Sequence, residues 1–386
     1  MIKDRKSGIL LHISSLPSQH GIGDLGQEAY YFVDKLEKMG QAYWQILPTN
    51  EPNLSNSPYD TSSAFAQNPM LIGLDDLIDK GLIQKEDLKP VPNFSNTKVD
   101  FEKLTKWKMP ILLKAVSAFL KSGEIEFQKF EKFCSKNSFW LEDYAVFMVL
   151  KEINKNRSWA NWDLPQKNLD PVHITMIKKK ESERIQKIKI LQYLFFSQWK
   201  KLKRYANSKG VALIGDIPIY VSYNSADVWK NKNLFKLNMD GEMIFQSGCP
   251  PDGFMKTGQV WGHPIYDWEK HLDTNFEWWC QRMRYLNQLV DVIRIDHFNG
   301  FAKYWEIPAE DTTGLRGKWK SSLGELLLKA LYDNIKNINL IAEDLGEAAK
   351  DAAAIMEKYN IPGMQVLQFL LEDESFQNIN GNKILY

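Results

Sequence analysis

The residues best suited to chemistry are carboxylates that directly follow short apolar runs. In the segment VIRIDHFNGF, Arg294 and Asp296 alternate with apolar residues at the end of a predicted strand. The two-residue period of a strand places both side chains on one face, and an adjacent guanidinium favours the ionised form of an aspartate. An ionised aspartate can act as a nucleophile. The alternative is an Arg–Asp ion pair that only closes the fold.

A second carboxylate, Glu343, ends the apolar run of INLIAEDLG. If this run is the next strand, we expect Glu343 to face Asp296 from it. Two carboxyl groups about 5 Å apart suit a retaining glycosidase-type reaction, in which one attacks the anomeric carbon and the other, with a raised pKa, protonates the leaving oxygen. The alternative is that Glu343 and Asp344 cap the helix predicted over 347–359, which fits Asp344 better.

Apolar runs along the chain predict the scaffold that would position these residues. Runs typical of buried parallel strands cover 8–13, 43–47, 211–217, 292–295, 340–342 and 364–369, and each is followed by polar residues. Barrels of alternating strands and helices carry their functional side chains at the carboxyl ends of the strands. The sequence therefore predicts an α/β fold, a (β/α)8 TIM-type barrel, and adds Asp216 and His297 as site candidates.

Composition excludes several classes of protein. The 49 Lys and Arg residues balance 48 Asp and Glu residues, so the chain as a whole has no electrostatic preference for nucleic acid or acidic membranes. Three scattered cysteines predict neither a disulfide framework nor a zinc ribbon, and we expect a cytoplasmic location without a membrane span. Six histidines without paired spacing and the absence of a Gly-rich phosphate loop predict no metal and no organic cofactor.

A Lys-rich helical pattern between Phe101 and about Asn207 predicts a mostly helical subdomain. We expect it to cover about 75–205 and to be inserted into a single barrel domain that spans 1–386. Within this subdomain, basic and aromatic residues interleave over 178–206, which is also compatible with a nucleic-acid-binding arm. Ile185, Ile188 and Leu191 repeat at helical spacing, however, and Glu181 and Glu183 interrupt the positive charge. The basic residues therefore fit a solvated outer helix face, and we expect no nucleic-acid partner.

Long motifs give the chain a family resemblance. The motifs are GILLHISSLPS, GIGDLG, WQILPTNEP, SPYDTSSAFAQNP, GDIPIYVSYNSADVW, GCPPDGFMKTGQVWGHPIYDW, VIRIDHFNGF, YWEIPA, LIAEDLG and GMQVLQF, spread over 8–369. With them the chain resembles the amylomaltases, the bacterial 4-alpha-glucanotransferases of the α-amylase clan. The resemblance implies transfer of α-1,4-glucan segments between maltodextrins by a retaining double displacement. It also implies maltooligosaccharide substrates and no cofactor.

The resemblance assigns roles to matching residues. Asp296 is similar to the nucleophile, Glu343 to the general acid/base, and Arg294 to the residue that orients the nucleophile. The resemblance also implies a set of substrate-binding residues. Tyr59 would stack on the sugar before the scissile bond, Trp261 would form an acceptor-side platform, and Asp216, His297 and Asp344 would make polar contacts. Pro250, Pro251 and Asp252 would lie in a loop that arches over the cleft.

Each substrate-binding assignment has an alternative. Tyr59 and Trp261 could be core aromatics, although Pro58 and the glycines beside Trp261 favour surface loops. Asp216 could be a turn residue ahead of Pro218. His297 alone could be a structural histidine.

The end of the sequence departs from the family pattern. Amylase-clan enzymes carry a third carboxylate, an Asp in a Thr-His-Asp-Asn-like segment after the seventh strand, and this sequence has no such segment. The sixth predicted strand ends at Phe369, and the stretch from Lys383 resembles the start of the seventh. We therefore expect a barrel that lacks its last strands. The alternative function is a catalytically inactive, truncated homologue that only binds α-glucans.

Overall fold

The computed structural model describes residues 5–253, 255–346, 349–372 and 383–386. The chain divides into two compact units. The helical unit comprises Lys6–Leu213 and Asn224–Lys230, and the strand unit includes Ile214–Tyr223 and Asn231–Tyr386. Residues 373–382, which precede the predicted start of a seventh strand at Lys383, lie outside the described residues, as do 347 and 348 of the predicted helix.

The helical unit begins with a parallel strand pair. Strand β1 (Gly8–Leu10) pairs with β2 (Tyr43–Gln45), and helix α1 (Gln27–Lys38) connects them. The other helices of this unit are α2 (Leu74–Asp79), α3 (Phe101–Phe119), α4 (Glu124–Lys136), α5 (Leu141–Ile153), α6 (Leu164–Lys167), α7 (Pro171–Lys180), α8 (Ser182–Ser208) and α9 (Ala226–Lys230).

Helix α8 contains residues 182–206 of the run that sequence patterning assigns to a helix, and the structure confirms a helix there, whereas the first three lysines of the run end α7. Ile185, Leu191 and Phe195 are buried on one side of it. Helix α8 packs against α1, α3, α4, α5 and α7. Burial of a continuous apolar stripe is what stabilises such a long helix, because helix propensity alone contributes little.

The strand unit is built on a parallel ladder. Strand β3 (Ala212–Pro218), of which Ile214–Pro218 belong to this unit, pairs with β6 (Val292–Asp296), which pairs in turn with β9 (Leu340–Ala342). Strands β10 (Met364–Gln365) and β11 (Ile384–Leu385) form a second parallel pair. The helices of this unit are α10 (Trp268–Asp273), α11 (Glu277–Leu289), α12 (Gly324–Asn334), α13 (Ala349–Tyr359) and α14 (Leu367–Glu372).

An antiparallel sheet in the strand unit has no counterpart in the sequence prediction. It runs in the order β5 (Gln259–Pro264), β4 (Phe245–Cys249), β7 (Lys303–Pro308) and β8 (Lys318–Ser321). Half-exposed or exposed positions interrupt the apolar pattern of these strands. A search for continuous apolar runs therefore passes over them.

Three predicted strands are too long. The strand expected over 43–47 ends at Gln45. The strand expected over 364–369 ends at Gln365, and α14 follows at once. A short apolar run such as LQFLL is compatible with either a helix or a strand. The strand expected over 8–13 ends at Leu10, and Ile13–Ser15 form a turn of 3-10 helix. No helix in the described part of the chain combines the length and the apolar composition that crossing a membrane requires.

Candidate active site

A buried guanidinium links β3 and β6. Arg294 Nη1 lies 2.6 Å from Asp216 Oδ1 and 2.9 Å from Asp296 Oδ1. The register explains this contact, because Arg294 sits opposite Asp216 across the ladder and Asp296 is two residues further on the same face. Burial disfavours the charge of Arg294, but the two carboxylates outweigh burial and raise its pKa. Arg294 is therefore a fixed cation that orients both aspartates.

The two aspartates differ in access. The side chain of Asp216 is 1% exposed, whereas that of Asp296 is 35% exposed. Asp296 is therefore the more accessible of the two to a molecule arriving from outside. Asp296 is thus the carboxylate of this pair that is placed for reaction.

Glu343 follows β9 directly and is held by backbone donors. Its Oε2 accepts a hydrogen bond of 2.7 Å from the amide of His297, and its Oε1 accepts one of 3.1 Å from the amide of Leu345. Burial raises the pKa of Glu343, and the charge of Asp296 raises it further, while these hydrogen bonds and Arg294 oppose the shift. Each carboxyl oxygen has a second acceptor position, so Glu343 can carry a proton while these contacts persist.

His297 joins the two carboxylates through its backbone. Its φ of 54° is left-handed, and its amide binds Glu343. Its imidazole stands edge-on to Trp261, with ring centroids 4.7 Å apart. Burial lowers the pKa of His297 to about 4, although the charge of Asp296 opposes the shift. A neutral imidazole offers one donor and one acceptor, the pair that a sugar hydroxyl can use.

Trp261 lies in strand β5, so its expected place in a loop is wrong. The neighbouring Gly262 has a φ of +71°, a conformation that glycine adopts readily, and here it occurs inside a strand. Trp261 is half-buried, and its Nε1 donates to Gln259 Oε1 at 3.1 Å. Part of the ring therefore remains at the surface, unlike that of a core aromatic.

The loop that joins β4 and β5 contains Pro250, Pro251 and Asp252. Asp252 exchanges two hydrogen bonds with Met255: its Oδ1 accepts from the amide of Met255 at 2.6 Å, and its own amide donates to the carbonyl of Met255 at 3.1 Å. Asp252 therefore closes a local turn. A contact of this loop with substrate stays a prediction.

Asp344 is buried, and its two oxygens meet other parts of the strand unit. Oδ1 accepts from the amide of Met364 at 2.8 Å, and Oδ2 lies 2.5 Å from Lys383 Nζ. A Cβ at position 363 would lie 2.6 Å from both oxygens, so only glycine fits beside them. These contacts tie β9 to β10, and the expected contact of Asp344 with substrate stays a prediction.

Tyr59 belongs to the helical unit. It is half-buried and lies in a turn within the segment that the isolated bridge of Pro52 with Thr61 closes; a second isolated bridge, of Asn50 with Gln67, lies further from the turn. The expected loop is thus present at Tyr59. The site residues that the structure brings together all belong to the strand unit, and they are Asp216, Trp261, Arg294, Asp296, His297 and Glu343.

Sequence reasoning missed two features of the site. One is the use of backbone amides to hold Glu343, which side-chain motifs cannot reveal. The other is Met364, whose Sδ lies 3.3 Å from Arg294 Nε; the motif GMQVLQF contained it without indicating this contact. In the described ranges, interrupted at 254, 347–348 and 373–382, no group of three or more His, Cys, Asp or Glu residues could hold a metal ion.

Comparison with known proteins decides the family. A family profile for 4-alpha-glucanotransferase matches residues 11–386. The chain belongs to the 4-alpha-glucanotransferase family. Within that family, the 4-alpha-glucanotransferase of Streptococcus pneumoniae is 41% identical over 392 residues, covering 100% of this chain and 77% of that protein. The chloroplastic/amyloplastic 4-alpha-glucanotransferase of Solanum tuberosum is 40% identical over 395 residues, covering 99% and 68%.

Solved structures of this glucanotransferase family agree with the chain in fold. An amylomaltase from Streptococcus agalactiae in complex with acarbose superimposes with a TM-score of 0.95 at 37% identity, over 99% of this chain and 79% of that one. An amylomaltase from Corynebacterium glutamicum has a TM-score of 0.76 at 18% identity, over 94% and 51%, and supports the fold alone. The predicted (β/α)8 barrel class is confirmed, and so is the predicted enzyme family.

Proposed function

We propose that this chain transfers α-1,4-glucan segments between maltooligosaccharides by a retaining double displacement on Asp296 and Glu343. The observation that carries the proposal is the direct link between their two segments: the carboxylate of Glu343 is bound to the amide of His297, the residue next to Asp296. One carboxylate is paired with Arg294 and reachable, and the other is buried with a raised pKa. This division suits a nucleophile and a general acid.

In the first step, Asp296 attacks the anomeric carbon while protonated Glu343 donates its proton to the leaving glycosidic oxygen. The bond to the leaving glucan breaks, and a glucosyl ester forms on Asp296. In the second step, ionised Glu343 takes the proton of an acceptor 4-hydroxyl, whose oxygen attacks the anomeric carbon and releases Asp296. Two inversions at this carbon give overall retention.

The remaining residues take binding roles in this proposal. Asp216 and neutral His297 contact hydroxyls of the reacting sugar, Tyr59 stacks on that sugar, and Trp261 offers an acceptor platform. Asp344 and the loop with Pro250, Pro251 and Asp252 complete the substrate contacts. The family resemblance supports these roles, and the half-exposed rings of Tyr59 and Trp261 are compatible with stacking.

The decisive experiment incubates the chain with maltotriose and follows glucose and longer maltodextrins by chromatography. We expect a ladder of longer products that is absent for the variant Asp296→Asn. A ladder of equal strength from Asp296→Asn would contradict the assignment of the nucleophile. Saturable maltoheptaose binding without any product would instead identify a glucan-binding protein that lacks the transfer activity.

We also propose that the protein works in the cytoplasm. The thiols of Cys134, Cys249 and Cys280 are all free, as expected for a reducing compartment. Cell fractionation with a specific antibody tests this location. Recovery of the protein from the medium or from the membrane fraction would contradict it.

A further inference from the structure

Lys151 is one of two buried lysines of the helical unit: its residue is 6% exposed, and Lys108, which pairs with Asp24, is 0% exposed. Lys151 projects from α5, and its Nζ donates to Asn53 Oδ1 at 2.8 Å and to Ser62 Oγ at 3.0 Å. Both acceptors belong to the segment 50–67, which we call the Tyr59 hairpin. A buried ammonium group needs such partners, since burial without them is costly. Lys151 therefore ties a helix to this hairpin.

The Tyr59 hairpin has little regular structure of its own. Two isolated bridges connect its arms, and the backbone hydrogen bonds between the arms include those from the amide of Asn53 to the carbonyl of Asp60 at 2.8 Å and from the amide of Glu51 to the carbonyl of Ala66 at 3.3 Å. Side chains supply the other links near its tip. Asn53 Oδ1 accepts from Ser62 Oγ at 2.9 Å, and Asn53 Nδ2 donates to Asp60 Oδ1 at 2.7 Å. A continuous chain of hydrogen bonds thus leads from Lys151 through Asn53 to Asp60, the neighbour of Tyr59.

A second contact from α5 meets the same hairpin. The hydroxyl of Tyr144 donates to Glu51 Oε2, and the carbonyl of Glu51 accepts from the amide of Ser62 at 2.9 Å. Burial lowers the pKa of Lys151, and the charges of Glu51 and Asp60 oppose that shift. Lys151 is therefore both a hydrogen-bond donor and the local countercharge for the carboxylates of the hairpin.

We propose that Lys151 is a positioning residue for glucan binding, which holds the Tyr59 hairpin, through Asn53 and Ser62, in the conformation that presents Tyr59 to the sugar. This inference rests on the proposed function, in which Tyr59 stacks on the substrate. It gives the helical unit a part in substrate recognition without any contact between Lys151 and the glucan. Small displacements of a positioned group are enough to weaken its contribution strongly.

A double-mutant cycle tests the inference. Maltoheptaose binding is measured by calorimetry for the wild type, Lys151→Met, Tyr59→Ala and the double variant. We expect each single change to weaken binding by about tenfold, and the double variant to bind no more weakly than Tyr59→Ala. Lys151 acts through Tyr59 only if the two effects fail to add. Additive losses would overturn the inference.

Matched variants separate positioning from general destabilisation. Lys132→Met removes an exposed lysine of α4 and should bind like the wild type. Ser62→Ala removes one acceptor of Lys151 and should weaken binding in the same direction but less, which keeps the test available if Lys151→Met does not fold. In Lys151→Met and in Ser62→Ala, amide hydrogen exchange should accelerate over 50–67 and stay unchanged in α8. Unchanged exchange over 50–67 in these two variants would also overturn the inference.

The cycle distinguishes the two levels of the argument. If Tyr59→Ala binds maltoheptaose like the wild type, the proposed role of Tyr59 is wrong and the positioning role of Lys151 is wrong with it. If Tyr59→Ala weakens binding and Lys151→Met adds to the loss, the proposed function stands and only the positioning role is overturned.

Discussion

The strand unit and the helical unit fix their candidate site residues by different means. In the strand unit, Asp296 and Glu343 end or follow paired strands, so the backbone ladder sets where they lie. In the helical unit, Tyr59 lies in a hairpin with isolated bridges, held by Lys151 and Tyr144 from a helix. A substitution of Asp296 or Glu343 in the strand unit therefore changes the charge at a fixed position. A substitution of Lys151 or Tyr144 in the helical unit instead changes the position of Tyr59, whose own chemistry is unchanged.

The largest expected effect tests the strand unit. Glu343→Gln should slow transfer from maltotriose by about 10³-fold, because it removes the proton donor and acceptor while the strands keep their pairing. A maltotriosyl fluoride needs no proton on its leaving group, so this donor should still form an ester on Asp296, detectable by intact-protein mass spectrometry. An equal loss of ester formation with the fluoride would show that Glu343 does not act by proton transfer.

Removing the cation between the aspartates should have the next largest effect. Arg294→Met leaves the carboxylate of Asp216 buried beside an apolar side chain. We expect this change to lower the free energy of unfolding by about 3 kcal/mol and to slow glucan transfer by about 100-fold. Urea unfolding and the maltotriose assay measure the two losses. Lys329→Met, which breaks an exposed pair with Asp333, is the control and should change stability little. Equal losses in both variants would argue against a stabilising buried pair.

Buried histidines should give each region its own dependence on pH. The pKa of His297 in the strand unit and that of His12 in the helical unit are each lowered by burial from 6.5 to about 4. Between these values the unfolded chain binds more protons than the folded one, so stability falls as the pH drops from 6.5 towards 4. Each histidine contributes at most about 3 kcal/mol to this loss.

Urea midpoints measured from pH 7 down to 4 test this dependence. His297→Gln and His12→Gln should each flatten the curve in this window, and the double variant should flatten it further. A slope that neither substitution changes would assign the acid sensitivity to other groups.

The smallest effect is expected in the hairpin. Tyr144→Phe removes the hydroxyl that binds Glu51 and should lower the free energy of unfolding by about 1–2 kcal/mol, because a buried acceptor loses its donor. The chemistry at Asp296 should be unaffected, so the rate of ester formation from the fluoride donor is the second readout. Tyr205→Phe, which breaks a hydroxyl contact with Asp34 in the same unit, is the matched control. A cost no greater than that of the control would weaken the comparison between the two regions.

Sequence reasoning succeeded where one local period determined the geometry. The alternation in VIRID predicted that Arg294 and Asp296 share a face, and their side chains are in contact. The run before Glu343 predicted a strand over 340–342, which the structure confirms as β9. Sequence alone could not select Asp216 as the second partner of Arg294, because that contact depends on the register between β3 and β6.

Sequence reasoning failed where residues that are far apart in the sequence are in contact in the fold. Lys151 belongs to a segment with a Lys-rich helical pattern, which does not show that this lysine is buried; its contacts with Asn53 and Ser62 supply the reason. Trp261 was assigned to a loop because two glycines flank its motif, yet Gly262 accommodates its positive φ inside a strand. The domain boundaries expected at about 75 and 205 stay a prediction.

The left-handed backbone at His297 has a mechanical consequence. Asp296 is joined to it by a peptide bond, and Glu343 by one hydrogen bond of 2.7 Å. Thermal motion that displaces the end of β6 should therefore move both carboxylates in the same direction. The distance between the carboxyl groups of Asp296 and Glu343 should vary less with temperature than the distances between the strands that carry them.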